Sequence, residues 1–515
     1  MKKKMITAAF FFLLILPRIG LGDKLVMRLI SDPLTFDWNI ASTTMDTYVL
    51  LNIMEGLVQA PNGTTIAPGL AEKWAISKDQ KTYTFYLRKN VKWSDGVALT
   101  AQQFVDSWQR LLTPAVGAPY AYYLYDIVGA QDYSNGKEKD FSKVGIKALN
   151  ASTFQVRLKH PFAHFLFIPT FWVTFPIRSD LILKHGKTWT NPANLVVLGP
   201  YKLLAYQPQH QIILEANPLY YGKRAAIDSV VMKIITENST AINLYRSKQL
   251  DFLNYVNLTE LGDLAKTKDL HTTPYYRSTF LGFNTSKDLL KMNLARCALS
   301  MAIDRSKFRV LFQGYKLPAE TLVPPALLAQ SWGAPFNPGQ AKKLLAQAGV
   351  QTAVDLKKIA LTLVADTTDE NLMITQFLQE QWRTNLGLEV SIENPDFKTF
   401  KTRQDLLDGS IFLRRWGADY PDPDTYLNVF LSDSGNNRTG WKNYRYDSLV
   451  TKARQKPPGS QRNSDYKEAL SILQKEECVI APLYYDSQIY LMNSAFKGFQ
   501  INPLNYIFLK NVSRY

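Results

Sequence analysis

The stretch R-R-W-G-A-D-Y-P-D-P-D-T-Y-L-N, Arg414 to Asn428, sets three aspartates in six residues, Asp419, Asp422 and Asp424, interleaved with Pro421 and Pro423. Carboxylates this close can hold a cation, share a proton or start a helix, and their neighbours decide which. Tyr420 and Asp422 each precede a proline and are pushed out of helical geometry. Asp422 then suits the N-cap of a helix whose first residue is Pro423. Asp424 falls in its first turn, where the helix dipole favours negative charge. Asp419 has no such local task. It follows a short apolar strand, Ile411 to Leu413, that ends near Trp416, and Gly417 and Ala418 are small enough for a ligand's backbone to approach. From the residues alone Asp419 reads first as a structural ion pair with Arg414 or Arg415, with a ligand contact as the alternative.

Other chemistry is sparse. The histidines are His160, His164, His185, His210 and His271. His160 and His164 stand four apart, but Pro161 between them spoils a helical metal pair and no cysteine lies near. H-G-K-T at 185–188 lacks the upstream glycine of a phosphate loop, and no G-x-S-x-G turn occurs. Carboxylate pairs without geometry carry no weight. The expectation is a protein that is not an enzyme and uses no metal or cofactor. An exported hydrolase without a local signature is the alternative from another class.

Strand and helix signals alternate as in a mixed α/β fold, with no repeat of 20–50 residues. Tyr83, Phe85 and Leu87 alternate with polar neighbours, a half-buried strand. Thr100 and Gln103 form a capping box for a helix whose buried face carries Phe104, Trp108, Leu111 and Leu112. Asn337 and Pro338 open another helix, lined by Ala341, Leu344, Leu345 and Ala348 and ended by Gly349. A strand over 359–364, a helix carrying Ile374, Phe377, Leu378 and Trp382, a stop at Gly387 and the strand L-E-V-S-I follow. That order builds a parallel sheet with a crevice at the strands' carboxyl ends.

The chain of 515 residues, 46% hydrophobic, is long enough for several domains. M-K-K-K, an apolar run from Met5 to Leu16 and the small ending Gly20-Leu21-Gly22 read as a signal peptide over 1–22, cleaved after Gly22. The run is shorter than a membrane span. No cysteine follows it to carry a lipid anchor, so an exported protein, soluble outside the cytoplasm, is expected. Cys297 and Cys478 sit in apolar runs and each reads first as a small core hydrophobe, with a mutual disulfide as the alternative. Net charge is +16, but the Lys and Arg are scattered rather than clustered, so no nucleic acid partner is inferred.

Four motifs together resemble the periplasmic oligopeptide-binding proteins of ABC importers, extracellular solute-binding proteins of family 5. They are Glu55–Leu57 with A-P-G-L-A-E-K-W (67–74), L-R-K-N-V-K-W-S-D-G-V-A-L-T-A-Q-Q-F-V-D-S-W-Q-R (87–110), A-R-C-A-L-S-M-A-I-D-R (295–305) and R-R-W-G-A-D-Y (414–420). The resemblance implies a three-lobed Venus flytrap with a discontinuous first lobe, residues 23–58, 183–276 and 488–515. The second lobe would be 59–182 and the third 277–487. It implies a monomer that captures an oligopeptide between lobes and hands it to a permease in the inner membrane. A murein tripeptide, a nickel chelate or haem is the alternative cargo on the same fold. Asp419 would receive the peptide's ammonium and Tyr120 would line the same region. Asp46 would meet a ligand's charged end, and Arg403 would correspond to a carboxylate-holding arginine of the family, whose other such arginine is Leu413 here. Many relatives carry a cysteine pair at the positions of Arg277 and Gly417. Those two residues should therefore face each other, with Arg277 pairing with Asp419, reaching a ligand carboxylate, or standing solvated.

Overall fold

The computed structural model describes residues 23–256, 258–330 and 336–515. The expected signal, 1–22, lies outside them. Among the described residues no helix is long and apolar enough to cross a membrane.

The locally patterned elements form where their side chains direct. Strand Thr82–Leu87 buries Tyr83, Phe85 and Leu87, and helix Ala101–Leu112 lays Phe104, Trp108, Leu111 and Leu112 over the same sheet. The Gln103 side chain accepts from the Thr100 amide at 3.0 Å, the reciprocal half of the capping box. This sheet is antiparallel, in the order Ala71–Ile76, Thr82–Leu87, Thr153–Arg157, Ile146–Asn150. Further on, Leu361–Val364 and Val390–Glu393 pair in parallel around helix Asp369–Leu386, which buries Ile374, Leu378 and Trp382. Gly387 stops that helix with φ of +72°, a conformation glycine adopts without steric cost.

Both of those strands belong to a large mixed sheet. In spatial order it runs Val390–Glu393, Leu361–Val364, Ile411–Gly417, Leu270–Phe283, Ile480–Met492, Phe252–Asn254, Lys24–Leu29, Ser229–Ile234, Gln211–Ala216, Tyr201–Gln207. Lys24–Leu29 lies parallel to Ser229–Ile234 and fully buries Leu25, Met27 and Leu29, which alternate onto one face of the sheet. Two long strands, Leu270–Phe283 and Ile480–Met492, join the halves of the sheet, and no local pattern announced them. Their register breaks midway: Pro274 opposes Ser487 and Ser278 opposes Tyr485, so Tyr275, Tyr276 and Arg277 stand against Asp486 alone. Extra residues on one strand bend it, raise the local twist and re-aim side chains. The site lies at this break.

Cys297 and Cys478 are joined in a disulfide, Cα atoms 5.1 Å apart, which corrects their first reading as separate core residues. The bond ties helix Asn293–Met301 to the residues entering strand Ile480–Met492. Cys478 takes a positive φ there, 45°, as the chain turns from helix into strand.

Candidate ligand-binding site

Asp419 sits just beyond the carboxyl end of strand Ile411–Gly417, on backbone held from several sides. The Ala418 amide donates to the Tyr276 carbonyl at 2.6 Å, and the Asp419 amide to the Thr425 hydroxyl at 3.1 Å. The Trp416 indole donates to the Thr425 carbonyl at 2.7 Å, so Trp416 braces the loop that carries Asp419. Among the described residues the Asp419 carboxylate has no cationic partner. Arg414 donates instead to the Asn436 carbonyl, and Arg415 to Glu370 (2.8 Å) and Asn371 (2.7 Å). The ion pair with Arg414 or Arg415 expected from the residues alone is therefore absent, because each arginine points to partners on its own side of the strand.

Tyrosines surround the carboxylate. Tyr123, its hydroxyl buried and lacking any other partner, faces Asp419 and partly offsets its burial. Burial pushes the Asp419 carboxyl up to about 7. The Tyr120 hydroxyl is pushed up to about 12 by burial and then by the charges of Asp419 and Asp46. Tyr426 and Tyr506 are raised by burial and then by charges that include Asp419. Tyr120 packs edge-on to Phe171 and Trp172 at 5.1 and 5.9 Å, which fixes its ring. A negative group ringed by aromatic faces and hydroxyls suits a compact cation such as an ammonium.

The other two aspartates serve a contact between distant segments. Asp422 accepts two hydrogen bonds from Arg462, at 2.8 and 2.7 Å, and one from the Asp424 amide at 2.9 Å. Helix Asp424–Leu427 thus starts one residue later than expected. Asp424, fully buried, accepts from the hydroxyls of Tyr420 (2.7 Å) and Tyr466 (3.2 Å). Arg454 reaches both Asp424, at 3.5 Å, and Asp126, at 3.0 Å, and so ties the segment 59–182 to the residues that follow Asp419.

His164 lies in the same contact, stacked on Tyr420 at 4.2 Å. It is 3.5 Å from Asp424 and 3.8 Å from Asp422, with neither ring nitrogen hydrogen-bonded. Burial, with Arg454 and Arg462 beside it, outweighs the two carboxylates and holds its pKa below the usual value. The folded form then binds this proton less readily than the unfolded one. The stability His164 contributes is complete above about pH 7, begins to be lost as the pH falls below about 6.5, and is gone once the pH has fallen through the lowered folded value. The unfolding free-energy advantage of wild type over His164→Gln, followed by thermal melts, should narrow between pH 7.5 and 5.5 by up to about 1.4 kcal/mol per pH unit. His160, raised by its hydrogen bond to Asp126, is common to both proteins. A gap that does not change with pH would refute this assignment.

Three further expected site residues are placed differently. Asp46 is fully buried and caps helix Thr44–Ile53, its carboxylate accepting the amides of Leu34, Thr35, Ser42 and Thr43. Backbone donors take up both oxygens, which leaves them unsuited to a ligand's charged end. Arg403, on helix Phe397–Asp405, is engaged by Glu393 and by Asp408. Arg277 pairs directly with Gly417 across the strands, yet its guanidinium turns to Asp486, Nε to Oδ2 2.9 Å, and not to Asp419. Leu413 is buried in the core. Tyr123, Tyr275 and Tyr506 escaped the sequence reading. The first two lie beside residues already singled out, Tyr120 and Arg277, so tyrosine density was their only signal. Tyr506 had none.

A flytrap fold with an acidic residue set among tyrosines beyond the end of a sheet strand is that of a periplasmic binding protein. Residues 65–438 match the family described as bacterial extracellular solute-binding proteins, family 5 Middle, and the chain belongs to this family. It is 33% identical over 514 residues to the periplasmic oligopeptide-binding protein OppA of Salmonella typhimurium, covering 96% of this chain and 93% of that one. Against the periplasmic murein peptide-binding protein MppA of Escherichia coli the identity is 30%, over 93% and 91% of the two chains. The solved structure of the Escherichia coli murein tripeptide binding protein superposes with a TM-score of 0.83 at 28% identity, over 96% and 99% of the chains. That of Haemophilus influenzae OppA in complex with the peptide RPPGFSPFR gives 0.81 at 26%, over 96% and 99%.

Proposed function

We propose that this protein is an extracytoplasmic receptor that captures oligopeptides between its lobes and delivers them to an ABC permease in the inner membrane, without turning them over. The observation that carries the reading is the enclosed, uncompensated Asp419 carboxylate, a group that a peptide's α-ammonium would complete. In this reading residues 23–58, 183–276 and 488–515 form the first lobe, 59–182 the second and 277–487 the third. Asp419 of the third lobe then faces Tyr120 and Tyr123 of the second and Tyr506 of the first. The Arg454–Asp126 contact would be a clasp made on closing. An extended peptide would pair its backbone with the strands beside the cleft, a mode indifferent to sequence. The mature chain is taken to begin at Asp23, to lack a lipid anchor and to act as a monomer in the periplasm.

The test combines two measurements. Ligand released from natively purified protein should prove by mass spectrometry to be peptide. Small-angle scattering should show the peptide-depleted protein contracting when peptide is restored, since contacts to both sides exist only when closed. A released nickel chelate or haem, turnover of a peptide library, or peptide binding without contraction would overturn the reading.

A further inference from the structure

At the register break the sheet gathers three cations, Arg277, Lys316 and Arg415, around two carboxylates, Asp486 and Glu370. Asp486 accepts from Arg277 Nε at 2.9 Å and from the Thr279 hydroxyl at 3.1 Å, and lies 3.2 Å from Lys316 Nζ. Glu370 accepts from Arg415 at 2.8 Å and from the Tyr484 hydroxyl at 3.1 Å, and also pairs with Lys316. The group carries one positive charge more than its carboxylates neutralise. That excess is placed asymmetrically: the Lys316 side chain is 9% exposed, whereas Arg277 and Arg415 are 31% and 23% exposed.

Both arginines share a strand face with Gly417. Arg277 is its cross-strand partner and Arg415 precedes it by two residues, opposite Thr279. Asp419 lies two residues beyond. At about 3.3 Å per residue, Asp419 and the arginines are separated by the length of roughly two to four extended residues. Gly417 keeps the surface between them open, for a Cβ there would meet nothing closer than the Tyr275 hydroxyl at 3.8 Å. The Arg277 guanidinium carbon lies 4.7 Å from the centre of the Tyr275 ring, a cation–π contact beside that opening. The acidic group without a cation and the basic group with a surplus thus stand at two ends of one short path.

We propose that Arg277 and Arg415 form a second, anion-recognising pole of the ligand site. It takes a carboxylate carried a few residues along from the ammonium at Asp419, which makes short or acidic peptides the preferred cargo. The inference rests on the peptide reading above and deepens it. The carboxylate comes either from the C-terminus of a di- or tripeptide or from an acidic side chain near the amino terminus, and guanidinium forks suit both.

Calorimetry on four peptides sharing one amino-terminal residue tests it: a tripeptide with a free carboxylate, the same tripeptide amidated, an amidated tetrapeptide with glutamate at position two, and its glutamine counterpart. Wild type should prefer each carboxylate over its neutral twin by about 10- to 100-fold. A preference within the first pair assigns the C-terminus as the source, and within the second the side chain. Arg277→Gln and Arg415→Gln should each bring the ratios towards one. Arg277→Lys, which keeps a charge against Asp486, should retain part of the preference and guards against a folding defect. Equal affinities within both pairs in wild type, or ratios that survive both glutamine variants, would overturn the second pole while leaving the peptide receptor intact. Failure of all four peptides to bind wild type would overturn both.

Discussion

Asp419→Asn should weaken binding of peptides with a free amino terminus by about 30-fold to a few thousand-fold, corresponding to about 2–5 kcal/mol for removing one side of a desolvated charge pair. The same substitution should let the empty protein close. Among the described residues Asp419 meets no cation, and burial in this arrangement, which we take as the closed one, lifts its carboxyl to about 7. In an open, hydrated cleft it would titrate near the ordinary value of about 3.9. The closed form therefore holds this proton more tightly than the open one, so empty closure is most costly above about pH 7 and grows easier as the pH falls towards about 4. A ligand's ammonium removes that cost at neutral pH, which links binding to closure through a single group. Asparagine, with no charge to desolvate, should remove the pH dependence. Scattering on the peptide-free proteins between pH 5 and 8 should show wild type contracting on acidification and the variant compact throughout. Equal affinity of wild type for a peptide and its N-acetylated form would take Asp419 out of this role.

Replacing Cys297 and Cys478 together by serine should lower stability by about 2–5 kcal/mol, the range for removal of a native disulfide. The bond closes a loop of 181 residues in sequence, and the entropy withheld from the unfolded chain grows with loop length. For a unit of 150–250 residues each kcal/mol is worth roughly 2–4 °C in Tm. Calorimetry of wild type with and without reductant should reproduce the shift, and the serine variant should be indifferent to reductant. Peptide affinity should change little, since the bond ties helix Asn293–Met301 to the start of strand Ile480–Met492, away from the register break. A double variant that melts with wild type would show that the bond carries no stability.

Much of the fold was legible because its signals are local. The alternation of Tyr83, Phe85 and Leu87, the Thr100–Gln103 box and the Gly387 stop each depend on residues within one or two turns, and each stands where it was read. Asp424 likewise stands in the first turn of its helix, but that helix starts one residue later than read, and Asp422 pairs with Arg462. Motifs in order along the chain carried the family and its lobed fold.

What the tertiary structure decided lies in pairings across long separations. Arg277 belongs to Asp486, 209 residues away, because a register break between two strands swings it there, and no pattern near either residue records that break. Asp46 looked available as an acidic residue beside a family motif, until the amides of residues 34–43 folded over it. Whether Asp419 had a cation was likewise undecidable along the chain. Arg414 and Arg415 are close in sequence, but in a strand they stand on opposite faces and turn to Asn436 and Glu370. Sequence by itself determined the locally patterned strands and helices and which family the chain belongs to, since periodicity and motif are properties of neighbours. Which charges are matched and which wait for a ligand was set by the packing of remote segments, because Coulomb and desolvation energies depend on distances that only the folded chain defines.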